Sequence, residues 1–142
     1  MIYLERRYYC YYQPNSKDPK RKGSSFGDCT IRALSKALEL SWIEAYDVTV
    51  PLCRKYYCSN IFDMPLAFRK EALKELGFSY TGIAITKGSK RPTVAKFASE
   101  HPSGTYILSL ASHIVAVKDG LYYDTWNCGN KAVYGYFTYS EK

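Results

Sequence analysis

This chain of 142 residues has only two histidines, no long hydrophobic run and no dense set of cysteines. Its longest apolar run is far shorter than the roughly 20 residues that cross a bilayer, which excludes a membrane-spanning protein. No positively charged segment followed by an apolar stretch and a small-residue cleavage site opens the sequence. We therefore expect a cytoplasmic protein with no membrane partner.

The cysteines do not form the pattern of a disulfide-bonded secreted domain. They number five, at Cys10, Cys29, Cys53, Cys58 and Cys128. An odd count without a dense framework is typical of free thiols in a reducing compartment. The histidines, His101 and His113, lack finger-like spacing from any cysteine pair, so the sequence gives no indication of structural zinc. We expect neither a metal nor a cofactor.

Basic residues outnumber acidic ones, giving a net charge of +7. Residues 1–27 form a basic, tyrosine-rich segment and a loop that contains Lys17, Lys20, Arg21 and Lys22. Such a loop can meet an acidic partner or nucleic acid, although a solvated loop is the commoner role of such a charge run. No nucleic-acid motif accompanies it, so nucleic acid is the less favoured partner.

The remaining composition is that of one folded domain over residues 1–142. Hydrophobic residues make up 46% of the chain and aromatic residues 16%, enough for a core of its own. Strands are predicted at 2–12 and 78–85, helices occupy most of the sequence up to Glu100, and four strand-like segments follow: TYILSL, HIVAV, LYYDTW and AVYGYFTY. Helices followed by an antiparallel sheet indicate an α+β domain.

The stretch G-D-C-T-I-R-A-L places Cys29 at the start of the first predicted helix, residues 29–40, with Asp28 as its N-cap. A helix N-terminus favours the thiolate, which is the form of cysteine that attacks a carbonyl. Asp28 opposes thiolate formation unless capping occupies its carboxylate. Cys29 is thus either a nucleophile or a small buried residue.

A predicted β-hairpin carries the second candidate group. Asp119 and Gly120 are among the strongest two-residue turn signals. With these two residues as the loop, Lys118 faces Leu121, and every opposed pair follows from that register. Two polar residues then become diagonal neighbours on one face of the sheet, within reach of each other: His113 and Asp124.

A histidine and a carboxylate beside a thiol are the groups that nucleophilic catalysis by cysteine uses. An imidazole favours the thiolate and can protonate a leaving group, while a carboxylate on its other nitrogen fixes the ring orientation. Asn127 is the weaker partner for His113, because the register points it to the opposite face. The alternative is that His113 is a satisfied core residue and that Asp124 bonds only to a turn.

The arrangement resembles the papain-like cysteine peptidase superfamily, in which the nucleophile opens the first long helix and the histidine and its Asp or Asn partner lie on successive strands of a later sheet. Two stretches carry the similarity: D-C-x-x-R-A-x-x-x-A-L from Asp28 to Leu38, and H-x-V-A-V-x-D-G-x-x-Y-D-T from His113 to Thr125. They are most similar to bacteriocin-processing peptidase domains of ABC transporters and to small papain-like proteins of bacteria and phages.

The resemblance implies a fold with N-terminal helices, the nucleophile at a helix N-terminus, packed on a C-terminal antiparallel sheet. It implies Cys29 as nucleophile, His113 as general base and acid, and Asp124 as orienting residue. The family's oxyanion glutamine lies about six residues before the cysteine, where this chain has Gly23. The expected substitutes are Gln13 or Asn15, beside the backbone N–H of Cys29.

The implied function is that of a cysteine-dependent acyl-transfer hydrolase, most simply a thiol protease acting on a peptide or protein substrate, that is, a peptidase or isopeptidase. Amidase, transglutaminase-like and thioesterase chemistry use the same triad and stay open. The alternative class is a catalytically inactive papain-like binding module, or a basic surface that binds nucleic acid or a protein partner. A phage-encoded protein of this type would act in the cytoplasm of the host cell.

Overall fold

The computed structural model describes residues 7–15 and 28–140. Within this part of the chain the elements are β1 (Tyr9–Tyr11), α1 (Cys29–Leu38), α2 (Trp42–Lys55), a 3₁₀ helix (Ile61–Asp63), α3 (Leu66–Lys74), β2 (Phe78–Gly82), α4 (Val94–Glu100), β3 (Thr105–Leu110), β4 (His113–Lys118), β5 (Leu121–Asp124) and β6 (Gly135–Tyr139). The predicted α+β class is confirmed. The predicted basic loop lies outside the described residues.

Two of the α-helices begin at short polar side chains that bind free backbone N–H groups. Ser41 and Glu44 form a reciprocal capping box at the start of α2. Thr93 accepts a hydrogen bond from the Lys96 N–H at the start of α4. In the described part of the chain, no helix combines the length and the apolar character required to cross a membrane.

The six strands form one sheet in the order β1-β5-β4-β3-β6-β2. All pairs are antiparallel except one, in which β1 runs parallel to β5 with Tyr11 opposite Asp124. The sheet is therefore mixed, and the prediction of an antiparallel sheet was wrong at this edge. The predicted strand 2–12 is also shorter within the described residues, since Arg7 and Tyr8 are helical and the strand comprises Tyr9–Tyr11.

Helices cover both faces of the sheet. On one face, Ile114 and Ala116 of β4 pack into a core shared with α1, α2 and α3. On the other face, Val115 and Val117 pack into a second core with α4. This two-sided burial explains why the segment HIVAV is continuously apolar instead of alternating.

The β4–β5 hairpin has the predicted register. Lys118 pairs with Leu121, and the turn residues Asp119 and Gly120 adopt φ values of 50° and 85°. Both values lie in the left-handed region that a two-residue hairpin turn of this kind requires. The hairpin thereby brings the start of β4 next to the end of β5, where His113 lies.

Candidate active site

His113 and Asp124 are in direct contact. His113 is the first residue of β4, and its Nε2 atom lies 2.5 Å from Oδ2 of Asp124. Ser112 precedes it with φ of 57°, a left-handed conformation at the turn that leads into the strand. Both side chains are buried, with exposed fractions of 13% for His113 and 2% for Asp124. The hairpin thus forms the imidazole–carboxylate pair that the sequence register predicted.

The Asp124 carboxylate is held in one orientation by its other oxygen. Oδ1 accepts a hydrogen bond of 2.7 Å from the Thr125 N–H and lies 3.3 Å from a guanidinium nitrogen of Arg32. The Asp124 carbonyl accepts from the Tyr12 N–H at 2.8 Å, which ties this residue to the end of β1. Oδ2 is left facing His113, so the carboxylate fixes the imidazole ring.

Cys29 lies on the α1 side of the same imidazole. It is the first residue of α1 and is 8% exposed. Its thiol is among the groups that raise the pKa of the His113 imidazole. Its backbone N–H is among the first in the helix, which have no intrahelical acceptor. The structure therefore brings together the three residues that the sequence singled out, and all five cysteines are free thiols, as expected.

The surroundings of His113 favour its protonated form. Burial lowers the pKa of the imidazole, but the hydrogen bond that the ring donates to Asp124, together with the thiols of Cys128 and Cys29, outweighs burial and raises the pKa to about 11. The hydrogen bond to the Asp124 carboxylate is the largest of the effects that raise this pKa, and the opposite charge of the carboxylate acts in the same direction. At neutral pH the ring is therefore an imidazolium, a proton donor.

Asp28 has a different role from the predicted one. It occupies the N-cap position of α1, but its side chain makes no capping hydrogen bond. One carboxylate oxygen pairs with Arg32, one turn along the helix, and the other accepts from the indole N–H of Trp42 at 3.1 Å. The prediction of a side-chain cap was wrong, because an ion pair and an indole satisfy this carboxylate instead. Its negative charge is therefore neutralised beside Cys29.

Arg32 lies between two carboxylates. It contacts Asp28 and Asp124, and its own side chain is 14% exposed. Its position four residues after Asp28 on a helix is the spacing of an ion pair, a signal in the sequence from which no role was predicted for it. Arg32 thus connects the start of α1 to the histidine partner on β5.

Cys128 is a second thiol at the site, and it was not among the site residues predicted from the sequence. Its side chain is fully buried, and its Sγ atom lies 3.4 Å from Oδ2 of Asp124. Burial raises the pKa of this thiol to about 11, although the hydrogen bond to His113 acts in the opposite direction. The sequence feature that could have indicated Cys128 is its position four residues after Asp124, in the loop that leaves β5.

The loop that leaves β5 also covers the histidine. The indole of Trp126 lies with its ring centroid 5.0 Å from that of His113 and is 41% exposed. The Asn127 side-chain oxygen has other partners, since it accepts from the Tyr122 hydroxyl and from the Gly129 N–H. Asp124 is therefore the histidine partner, in line with the preference drawn from the register.

The two predicted oxyanion donors lie just beyond β1. Tyr11 is opposite Asp124 in the parallel pair, and Gln13 follows two residues later. The Gln13 side-chain oxygen accepts from the Asn15 N–H at 3.0 Å, and both residues are partly buried. The parallel pairing thus brings Gln13 to the strand end at which Asp124 lies, with Asn15 farther along the chain.

Comparison of the chain with family models, with curated proteins and with solved structures gives no match.

Proposed function

We propose that the protein is a cysteine-dependent acyl-transfer hydrolase with a papain-like fold, most simply a peptidase or isopeptidase. One observation carries the proposal: the His113 imidazole contacts the Asp124 carboxylate at 2.5 Å, and the Cys29 thiol at the start of α1 is among the groups that raise the pKa of the same ring. The packing of α1 against β4 of the sheet supports the fold. Nucleophile, imidazole and orienting carboxylate are the three parts that covalent acyl transfer needs.

The reaction follows from these contacts. The Cys29 thiolate attacks the carbonyl carbon of the substrate, a C–S bond forms, and the carbonyl π electrons move to oxygen. His113 donates its proton to the leaving group, and the bond from carbon to that group breaks as the carbonyl re-forms. The neutral His113 then takes a proton from water, which attacks the acyl carbon. Collapse of the second tetrahedral species releases the acid and restores the thiolate and the imidazolium.

Two donors are proposed for the negative oxygen of the tetrahedral species. The Cys29 N–H points along the axis of α1 at its positive end. The Gln13 side-chain amide is the preferred second donor, because β1 leads it toward the end of β5. Asn15 is the alternative. Donors of this kind act on charge that develops only in the transition state.

Cys128 is not the proposed nucleophile, although it contacts the same imidazole. It is completely buried, and burial keeps its pKa at about 11. The attacking species is the thiolate, so Cys128 is both protonated and inaccessible at neutral pH. Cys29 is also buried, but it lies at a helix start and is 8% exposed, whereas Cys128 has no exposed surface.

We also propose that the substrate carries acidic residues near the scissile bond. Lys17, Lys20, Arg21 and Lys22 precede the nucleophile in the sequence and supply four positive charges. Paired peptide substrates with acidic and basic flanks test this at low and high salt. We expect faster turnover of the acidic peptide at low salt; equal rates at both salt concentrations would contradict it.

The test is intact-protein mass spectrometry after exposure to electrophilic probes of three kinds: a short peptide, a ubiquitin-like protein and a lipid thioester. We expect one covalent adduct, mapped to Cys29, that is absent from Cys29→Ser and slow to form in His113→Ala. Cys53→Ser is the matched control and should label like the wild type, since Cys53 lies on α2, away from His113. The probe that reacts fastest identifies the substrate class.

No adduct with any probe, from a folded wild-type protein, would contradict the proposal. Retention of that protein on nucleic acid or on a protein partner, unchanged in Cys29→Ser, would instead favour the binding module.

A further inference from the structure

We propose that His113, Asp124 and Cys128 form a binding site for one zinc ion. These residues offer an imidazole nitrogen, a carboxylate oxygen and a thiol sulfur, and the three ligand atoms lie within 4.8 Å of one another. The group was not visible in the sequence, because its spacing of eleven and four residues matches no finger pattern.

The imidazole nitrogen and the thiol sulfur both lie close to the same carboxylate oxygen. Oδ2 of Asp124 lies 2.5 Å from Nε2 of His113 and 3.4 Å from Sγ of Cys128. Zinc bond lengths of about 2.0 Å to nitrogen and oxygen and 2.3 Å to sulfur place tetrahedral ligands roughly 3.3 to 3.7 Å apart. The sulfur–oxygen separation already has this value, and the imidazole needs to retreat by about 1 Å.

The other oxygen of the Asp124 carboxylate is fixed by neighbouring groups, as is common for carboxylates that bind metals. Oδ1 accepts from the Thr125 N–H and contacts Arg32, which leaves Oδ2 as the oxygen that faces the two other ligands. Groups that orient a ligating carboxylate in this way increase metal affinity. The site therefore has both a ligand set and a support for it.

This ligand set selects the type of metal. A thiolate with an imidazole and one carboxylate suits zinc and similar borderline-soft ions, whereas magnesium and calcium prefer oxygen ligands throughout. Three protein ligands leave the fourth tetrahedral position for water. If the proposed acyl-transfer function is correct, bound zinc also inhibits it, because coordination at Nε2 replaces one ring proton of His113 and leaves a neutral imidazole whose remaining N–H is a much weaker acid than an imidazolium.

Cobalt(II) provides a direct test because thiolate ligation gives an intense ultraviolet charge-transfer band and tetrahedral geometry gives visible bands. Metal-free protein is titrated with cobalt(II) and then with zinc. We expect one equivalent of cobalt to produce both bands and one equivalent of zinc to remove them. The bands should persist in Cys29→Ser and disappear in Cys128→Ser and His113→Gln, with folding of each variant checked by circular dichroism.

Cys53→Ser is the matched control, because Cys53 and Cys58 form another close pair of thiols. Bands that persist in Cys128→Ser, or that disappear in Cys53→Ser, would overturn the proposal, as would a wild-type protein without bands. The result is independent of catalysis, since the bands are measured in Cys29→Ser as well. A protein that labels with acyl probes but shows no bands refutes the zinc site alone; bands without labelling refute the acyl-transfer function alone.

Discussion

The Nε2 atom of His113 lies 2.5 Å from Oδ2 of Asp124, and the Cys29 thiol is among the groups that raise the pKa of the same ring. Since an imidazole has two nitrogens, a carboxylate on one of them leaves the other for the thiol. The carboxylate also holds the proton on the ring and raises its pKa to about 11. This contact determines how the site titrates, how it is oriented and how it would react.

The ionisation of His113 should depend on Asp124. Nuclear magnetic resonance of the imidazole should show an imidazolium up to about pH 9 in the wild type, two units below the pKa of about 11. In Asp124→Asn the pKa should fall, because burial then acts without an opposing carboxylate. The chain has two histidines, so the imidazole signal that remains in His101→Ala belongs to His113. A wild-type His113 that titrates near its ordinary pKa of 6.5 would contradict this account.

The same raised pKa predicts the pH dependence of stability. His113 binds its proton more tightly in the folded than in the unfolded state, so its contribution is complete below about pH 6.5 and is lost as the pH rises through about 11. The difference in unfolding free energy between the wild type and His113→Phe, measured in urea, should therefore shrink from pH 6 to pH 10. A constant difference would argue against a charged His113.

Replacement of Gln13 should separate acylation from simple thiol reactivity. Gln13→Ala should slow the acylation of Cys29 by an activated ester by roughly 10²-fold to 10³-fold, because an oxyanion donor is lost. Alkylation of Cys29 by iodoacetamide forms no oxyanion, so its rate should be the same in Gln13→Ala and in the wild type. Asn15→Ala is the matched comparison, and an effect of Asn15→Ala alone would assign the donor to that residue. If neither variant alters acylation, neither side chain is the donor.

Arg32 should contribute strongly to stability. Arg32→Met leaves Asp28 and Asp124 buried without their shared cation, and should lower the unfolding free energy by about 3 kcal/mol. Lys96→Met is the matched control, since Lys96 and Glu100 have the same spacing on a helix but are 60% and 53% exposed. It should cost about 0.5 kcal/mol or less. Equal losses in chemical denaturation would show that Arg32 is not a buried bridge.

Gly129 should tolerate no side chain. A Cβ atom there would overlap the hydroxyl of Tyr122, which is fully buried and cannot move aside, and would lie 3.0 Å from the Asn127 side-chain oxygen. Gly129→Ala should therefore cost about 1–3 kcal/mol. The cost should be smaller in a Tyr122→Phe background, which removes the overlapping oxygen.

Gly82→Ala serves as the control for that measurement, because a Cβ atom at Gly82 meets its nearest neighbour at 3.6 Å. A Gly129→Ala variant as stable as Gly82→Ala would show that the loop beside Cys128 has free space.

Local signals predicted much of this architecture. Asp119 and Gly120 encode the hairpin turn, and the turn alone fixes the register that brings His113 and Asp124 together. The start of α1 at Cys29 was also evident from the sequence. The hairpin turn and the start of α1 depend on residues that are near one another in the chain. Over such short distances, hydrophobic periodicity and turn-forming residues predict local structure.

Contacts between distant segments could not be predicted in this way. The parallel pairing of Tyr9–Tyr11 with β5 joins opposite ends of the chain, with no turn to define it. The position of Asp28 before a helix predicted a side-chain cap. In the folded chain its carboxylate instead binds Arg32 of α1 and Trp42 of α2. Cys128 becomes a neighbour of His113 only after the loop beyond β5 has folded back.

The most direct test of the central claim is the rate at which iodoacetamide alkylates Cys29, measured below pH 7 by mass spectrometry in the wild type and in His113→Ala. Ordinary thiols are mostly protonated there, so Cys53 provides an internal reference. We predict that Cys29 is the most reactive of the five cysteines and that His113→Ala slows it roughly tenfold or more, equivalent to about 1.4 kcal/mol. Equal Cys29 rates in the two proteins, no faster than Cys53, would contradict the account.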